Sequence, residues 1–175
     1  MTDGHRVKTI IGWAVLLAAL AFIICALGLI FVGPASNLYA VGSLQPLSSR
    51  YPGGKVFVRN PELAEEFAIL RASGVFEIVS ADQANKVVEL HPREQAPVCG
   101  NPLLLTWATF GLVPATVTVS SRFSFTIEED GEVSEEQFVL QGERRVSLVQ
   151  HVFKPFRSDT RTLGAILASE YERSR

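Results

Sequence analysis

Cysteine is scarce in this chain: Cys25 and Cys99 are the only two in 175 residues. Neither belongs to a CxxC spacing, which excludes a disulfide-stapled scaffold and leaves no zinc-finger framework. Basic charge is also thin. Lys and Arg number 16 against 18 Asp and Glu, for a formal charge of -2, the pI is about 5.9, and the longest basic run is the pair Arg144-Arg145. A nucleic-acid binder needs a basic face, so nucleic acid is excluded as a partner. There is no phosphate-cradling glycine loop and no GxSxG elbow, so neither a nucleotide nor any other cofactor is implied. Charged residues of both signs make up only 19% of the chain, against about a quarter in ordinary soluble domains.

What is present is apolar residue, unevenly placed. Residues 9–33 carry no charge, and 21 of the 25 are hydrophobic. At roughly 1.5 Å per helical residue the run is long enough to span a hydrocarbon core of about 30 Å. Arg6 and Lys8 precede it and the next charge is Arg50, so the positive-inside rule keeps residues 1–8 in the cytoplasm and sends the rest across. The sequence thus predicts an uncleaved transmembrane signal anchor over 9–33. The chain would be a single-pass protein of the bacterial inner membrane, N-terminus in, with a periplasmic or extracellular domain. Lipidation of Cys25 is disfavoured because Phe22-Ile23-Ile24 offers no small residue before it. Ala14, Ala18, Ala21, Cys25 and Gly28 recur every three or four residues, a seam suited to close helix packing in lipid.

Residues 34–53 hold Pro34, Pro46, Pro52 and several serines, and read as a linker. A domain over 54–175 follows. Lys55–Arg59 reads as a strand. Asn60-Pro61-Glu62 reads as the start of a helix, with Asn60 as its cap, and Gly74 as its end. Val75–Val79 and Lys86–Leu90 read as two further strands. Between Leu103 and Val119 lies a second apolar stretch, broken by Pro114. We expect a short buried or interfacial segment at Leu103–Leu112 rather than a second span, with a strand after Pro114. Val117, Val119, Phe123, Phe125 and Ile127 then alternate with period two. A hairpin with a wide loop over Asp130–Glu135 would set Ile127 opposite Phe138 and Val117 opposite Leu148; the tight Asp130-Gly131 turn would instead set Phe125 opposite Glu136. Apolar matching favours the wide register. Ser158-Asp159 caps a last helix, with Leu163, Ile166, Leu167 and Tyr171 on one face. The predicted fold class is α+β: one N-terminal transmembrane helix, a small β-α-β-β module, a long β-hairpin and a C-terminal helix.

Candidate chemistry is sparse. His91, Cys99 and His151 are the residues that could seed a thiol or metal site, but no metal-ligand spacing joins them. A membrane-tethered thiol hydrolase using Cys99 with His91 or His151 is the enzymatic alternative. Glu128, Glu129, Asp130, Glu132, Glu135 and Glu136 crowd the hairpin end without the order of a calcium loop, and read as a solvated tip. Leu103, Leu104, Leu105, Trp107, Phe110 and Leu112 form the candidate surface for contact with a partner or with membrane lipid.

The stretch Leu103-Leu104-Leu105-Thr106-Trp107-Ala108-Thr109-Phe110-Gly111-Leu112-Val113-Pro114 resembles the "LTLGLIP" segment of small bacterial envelope lipoproteins and membrane-anchored proteins. Phe67, Leu70, Gly74 and Phe76, with the Ala81-Asp82 turn, are similar to the strand-helix-strand module of that group. The resemblance covers residues 54–150, and the chain departs from it in lacking a lipobox at Cys25. It implies an envelope-associated α+β domain of non-enzymatic character, and carries over no active site. The expected role is therefore binding or assembly as an accessory subunit, with an envelope protein partner or self-association.

Overall fold

A computed structural model of the chain describes residues 15–17, 19–20, 34–96, 103–109 and 111–175; the side chains of Leu103, Leu105 and Trp107 lie outside that description. Two long antiparallel strands dominate it, β6 (Ala115–Glu129) and β7 (Glu132–Ser147). The earlier strands are β1 (Ala35–Ala40), β2 (Lys55–Val58), β3 (Glu77–Ile78), β4 (Lys86–Leu90) and β5 (Glu94–Gln95). They assemble one mixed sheet in the order β1-β7-β6-β4-β2-β3, with β5 alongside β6. The helices are α1 (Ala64–Ser73), α2 (Leu103–Ala108), α3 (Gln150–Phe153) and α4 (Asp159–Ser174).

This architecture corrects the expected fold class. The protein is a mixed-sheet half-barrel with few helices, not an α+β domain behind a membrane helix. Among the described residues no helix is long and apolar enough to cross a membrane. Of residues 9–33, the described ones are 15–17 and 19–20, all helical. The single-pass topology, the signal anchor and the inner-membrane placement are withdrawn with it. The seam of Ala14, Ala18, Ala21, Cys25 and Gly28 lies outside the described residues.

The hairpin register is a second correction. Phe123 stands directly opposite Phe138, and Phe125 opposite Glu136, because Asp130 and Gly131 close a two-residue turn with φ of 52° and 82°. The wide and tight registers differ by a shift of four residues. That shift is even, so both send the same side chains inward, and burial does not choose between them. Turn chemistry does: two successive positive φ angles define the hairpin turn that matches strand twist, and Asp-Gly supplies them.

The residues read as a linker contain β1, which pairs with the end of β7 from Ala35↔Ser147 to Ala40↔Gly142. Nothing in ASNLYA alternates cleanly; β1 is held by long-range bonds. Asn37 Nδ2 donates to the Gln150 carbonyl (2.9 Å) and to its Oε1 (2.8 Å), and Tyr39 Oη donates to that same Oε1 (2.9 Å). Helix α1 starts at Ala64, three residues later than the Asn-Pro signal predicts, with no side-chain cap. Gly74 ends it in the left-handed conformation (φ 67°) that a glycine C-cap favours. Ser158 caps α4 by accepting from the Arg161 N–H.

Helices α1 and α4 pack on each other and cover one face of the sheet. Beneath them lies the core: Phe123, Phe125, Phe138, Leu140, Val56, Val88, Ile69, Leu70 and Leu167 are all buried. Phe76, Phe125, Phe138 and Tyr171 pack as a ring cluster with neighbouring centroids 5.8–6.1 Å apart. The opposite face carries Thr116, Thr118, Arg122, Gln137 and Gln141, all exposed. That is the usual arrangement of an antiparallel sheet with one wet side.

Candidate functional site

Three strand ends meet at the end of the sheet remote from the Asp130-Gly131 turn: the starts of β1 and β6 and the finish of β7, through Ala35↔Ser147 and Ala115↔Val146. Two apolar segments are tied together there. After α2 the chain turns sharply, with Gly111 N–H bonded to the Thr106 carbonyl (2.6 Å) and Leu112 N–H to that of Thr109 (3.0 Å). The Gly111 carbonyl then accepts from Leu148 N–H at 3.0 Å. Gly111 has φ 83°, and a Cβ on it would meet Pro34 Cβ at 2.9 Å and the Leu148 nitrogen at 3.1 Å. Only glycine suits that backbone and that approach.

Beyond the contact, both segments turn apolar side chains outward. Leu104, Leu112 and Val113 come from the first; Val149, Val152, Phe153 and Phe156 come from the second, in the short helix α3 and the 3₁₀ turn Lys154–Phe156. Leu112 is 73% exposed and Phe156 84%. Lys154 and Arg157 stand exposed beside them in sequence, and Arg157 reaches over the Tyr39 ring, 4.5 Å from its centroid, as Arg145 does at 4.6 Å. Single exposed apolar residues need no explanation, but a concentration of them with a polar rim is the mark of a contact surface.

Of the residues singled out from the sequence, the structure places Leu104 and Leu112 on this end. Phe110 lies outside the described residues, as do the side chains of Leu103, Leu105 and Trp107. The second half of the surface, Val149–Phe156, escaped the sequence reading. Its signal is a run of apolar residues too short for a strand and spaced without a period.

The two histidines of the thiol alternative lie at opposite ends of β6. His91 sits beside Thr126, with Nε2 2.9 Å from the hydroxyl, whereas His151 follows β7 at the other end of β6, its N–H bonded to the Leu148 carbonyl. At about 3.3 Å per strand residue the two histidines are on the order of 30 Å apart. Cys99 lies outside the described residues. The acidic tip is partly neutralised by cations of the neighbouring strands: Arg59 bridges Glu128 (2.9 Å) and Glu89 (3.0 Å), and Lys86 pairs with Glu129 (3.0 Å). The hydrogen bonds that Arg59 donates to Glu128 and Glu89 hold its guanidinium above its ordinary pKa. Among the described residues no group of three or more His, Cys, Asp or Glu is placed to hold a metal.

No family model and no curated protein matches the sequence. Among solved structures, the chain is similar to a minor lipoprotein from Acinetobacter baumannii, with 16% identity over 74% of this chain and 92% of that chain and a TM-score of 0.35. It is also similar to PelC from Paraburkholderia phytofirmans, described as a dodecamer, with 15% identity over 78% of this chain and 96% of that chain and a TM-score of 0.28.

Proposed function

We propose that this chain is a non-enzymatic, envelope-associated accessory protein that acts by docking to another protein, and that the apolar end of its sheet is the docking surface. The observation that carries this reading is the grouping of Leu112, Val149, Val152 and Phe156, all exposed, on two segments bonded to each other through Gly111 and Leu148. Keeping so much apolar surface in water is unfavourable by about 25 cal/mol per Å². Covering it with a protein partner recovers that free energy, and aromatic residues such as Phe153 and Phe156 are the type enriched at the centre of interfaces. The likeness of residues 103–114 to the envelope segment supports the placement.

The test is photo-cross-linking in cells from Leu112 and Phe156, with Gln141 on the polar sheet face as the control position. Adducts are expected from the first two positions and not from the third. An adduct of twice the chain mass would identify a second copy, and one of another mass a different protein. Absence of adducts at the apolar end, or equal yields from Gln141, would sink the reading.

A further inference from the structure

Arg93 is a charged side chain taken almost entirely out of water. It is 9% exposed, and it reaches the inner face of the sheet from the segment just before β5. Its backbone N–H is fixed by Glu66 Oε1 at 3.0 Å. Its Nη2 pairs with Glu65 Oε1, while its Nε–H is buried with no hydrogen-bond partner. Nε and Nη2 form one edge of the guanidinium, the edge a carboxylate can take with two parallel hydrogen bonds. Glu65 therefore fills half of a fork and leaves the other half unmet. A buried donor without a partner is the kind of defect that folded proteins rarely keep without a reason.

Arg93 also lines a cleft of about 340 Å³ between the inner face of β6 and β7 and the first turns of α1 and α4. Val117, Val119, Val146 and Leu163 provide apolar wall. Across the cleft stands Arg144, whose register position opposite Val117 sends it inward. It is already committed, donating to Ser36 Oγ at 3.1 Å and to Asp159 Oδ2 at 2.8 Å. Asp159 is committed in turn, accepting from the Leu38 N–H. Glu65 is different: it is 61% exposed, so it can swing into solvent without leaving a buried charge behind.

We propose that this cleft binds a small amphipathic carboxylate, with the carboxylate on the Nε/Nη2 edge of Arg93 and the apolar body against the valines of β6 and β7. Glu65 is a displaceable stand-in for that carboxylate. The cleft favours a single planar negative charge. Arg93 offers one fork, Arg144 is occupied, and a doubly charged phosphate would face Asp159 as well as Glu65. The exposed residues of the docking end, on 104–113 and 149–156, do not line this cleft.

The experiment uses the full-length chain with octanoate as the probe, at millimolar concentrations below micelle formation, read by isothermal titration and by the rise in Tm. Octanoate is expected to bind at least fivefold more tightly than octanol and than octyl phosphate. Glu65→Gln removes the competing charge and should tighten octanoate binding severalfold, whereas Arg93→Gln should reduce octanoate to the level of octanol. If Arg93→Gln does not fold, the Glu65→Gln result decides. Equal binding of octanoate and octanol, weaker binding by Glu65→Gln, or a preference for octyl phosphate would each overturn the proposal. A Leu112→Ser/Phe156→Ser variant should keep the octanoate response, which separates failure of this site from failure of the docking end.

Discussion

Asn60 and Leu90 bond to each other in both directions: the Asn60 Nδ2 donates to the Leu90 carbonyl and its Oδ1 accepts from the Leu90 N–H, both at 2.8 Å. The side-chain amide thus continues the pairing that β2 makes with β4, beyond the last ladder bond of Arg59 N–H to the Val88 carbonyl. Leu90 is buried, so its polar backbone groups have little water to turn to on that side. Asn60→Ala should lower stability by about 1–3 kcal/mol, the range for leaving buried partners unmet. Asn60→Asp should also destabilise, since it replaces the donor facing a carbonyl with an acceptor. Urea unfolding midpoints of the two variants test this, and an unchanged midpoint for Asn60→Ala would refute it.

Gly164 marks the closest approach of α1 and α4. A Cβ there would lie 2.7 Å from the Ala72 carbonyl carbon, 2.8 Å from its Cβ and 2.8 Å from the Ser73 nitrogen. Alanine is the better helix former by about 1 kcal/mol, yet two of the three clashes are with backbone, which cannot rotate away. Gly164→Ala is expected to be destabilising by about 1–3 kcal/mol, as overpacked cores are. The companion change Ala72→Gly removes only one of the obstructing atoms and should not restore stability. Thermal unfolding of the single and double variants checks both statements.

Legibility in the sequence followed the range of the interaction. The odd-numbered apolar residues of β6 and the capped apolar face of α4 are written in neighbouring positions, and local periodicity finds them. Asn60 sits in a sequence that suits a helix cap, but the acceptor and donor of Leu90, thirty residues on, outcompete that local use. Strand β1 has no apolar alternation to read, because its anchor is the Asn37–Gln150 contact, 113 residues away in sequence. The apolar run of 9–33 argued for a span that no described helix supports. At the apolar end of the sheet one segment was visible as apolar sequence; its companion at Val149–Phe156 acquires meaning only through the Leu148–Gly111 bond. The Arg93 cleft was not legible at all, since Glu65 and Arg93 lie 28 positions apart and follow no motif.

The hairpin turn gives a prediction that depends on backbone alone. A Cβ on Gly131 would meet nothing within 4 Å, so any cost of Gly131→Ala comes from its φ of 82°. That cost should be about 1 kcal/mol. Asp130→Asn keeps a residue tolerant of positive φ and should change stability by no more than about 0.5 kcal/mol. Chemical denaturation measures the difference. In both variants NMR contacts between Phe123 and Phe138 should persist, since the register is carried by the remaining fourteen paired positions as well; their loss in Asp130→Asn would contradict this account of the turn.

Asp82 supplies the pH prediction. Its carboxyl is held below the ordinary value of 3.8, first by the hydrogen bond from the Ser80 side chain and then by its own backbone N–H. A depressed carboxyl pKa means that the folded state favours the charged form. The turn therefore gains from Asp82 at pH above the unfolded value and loses that gain as pH falls below about 3.8 and through the folded pKa. Asp82 is fully exposed, so the contribution to global stability is small and the titration itself is the proper readout. In Ser80→Ala the largest cause is removed, and the Asp82 carboxyl should titrate closer to 3.8 than in the wild type. Carboxyl-carbon NMR across the acid range measures the shift, with Ser80→Thr expected to retain the wild-type value because the hydroxyl remains. Identical Asp82 titrations in wild type and Ser80→Ala would mean that the Ser80 hydroxyl does not set this pKa.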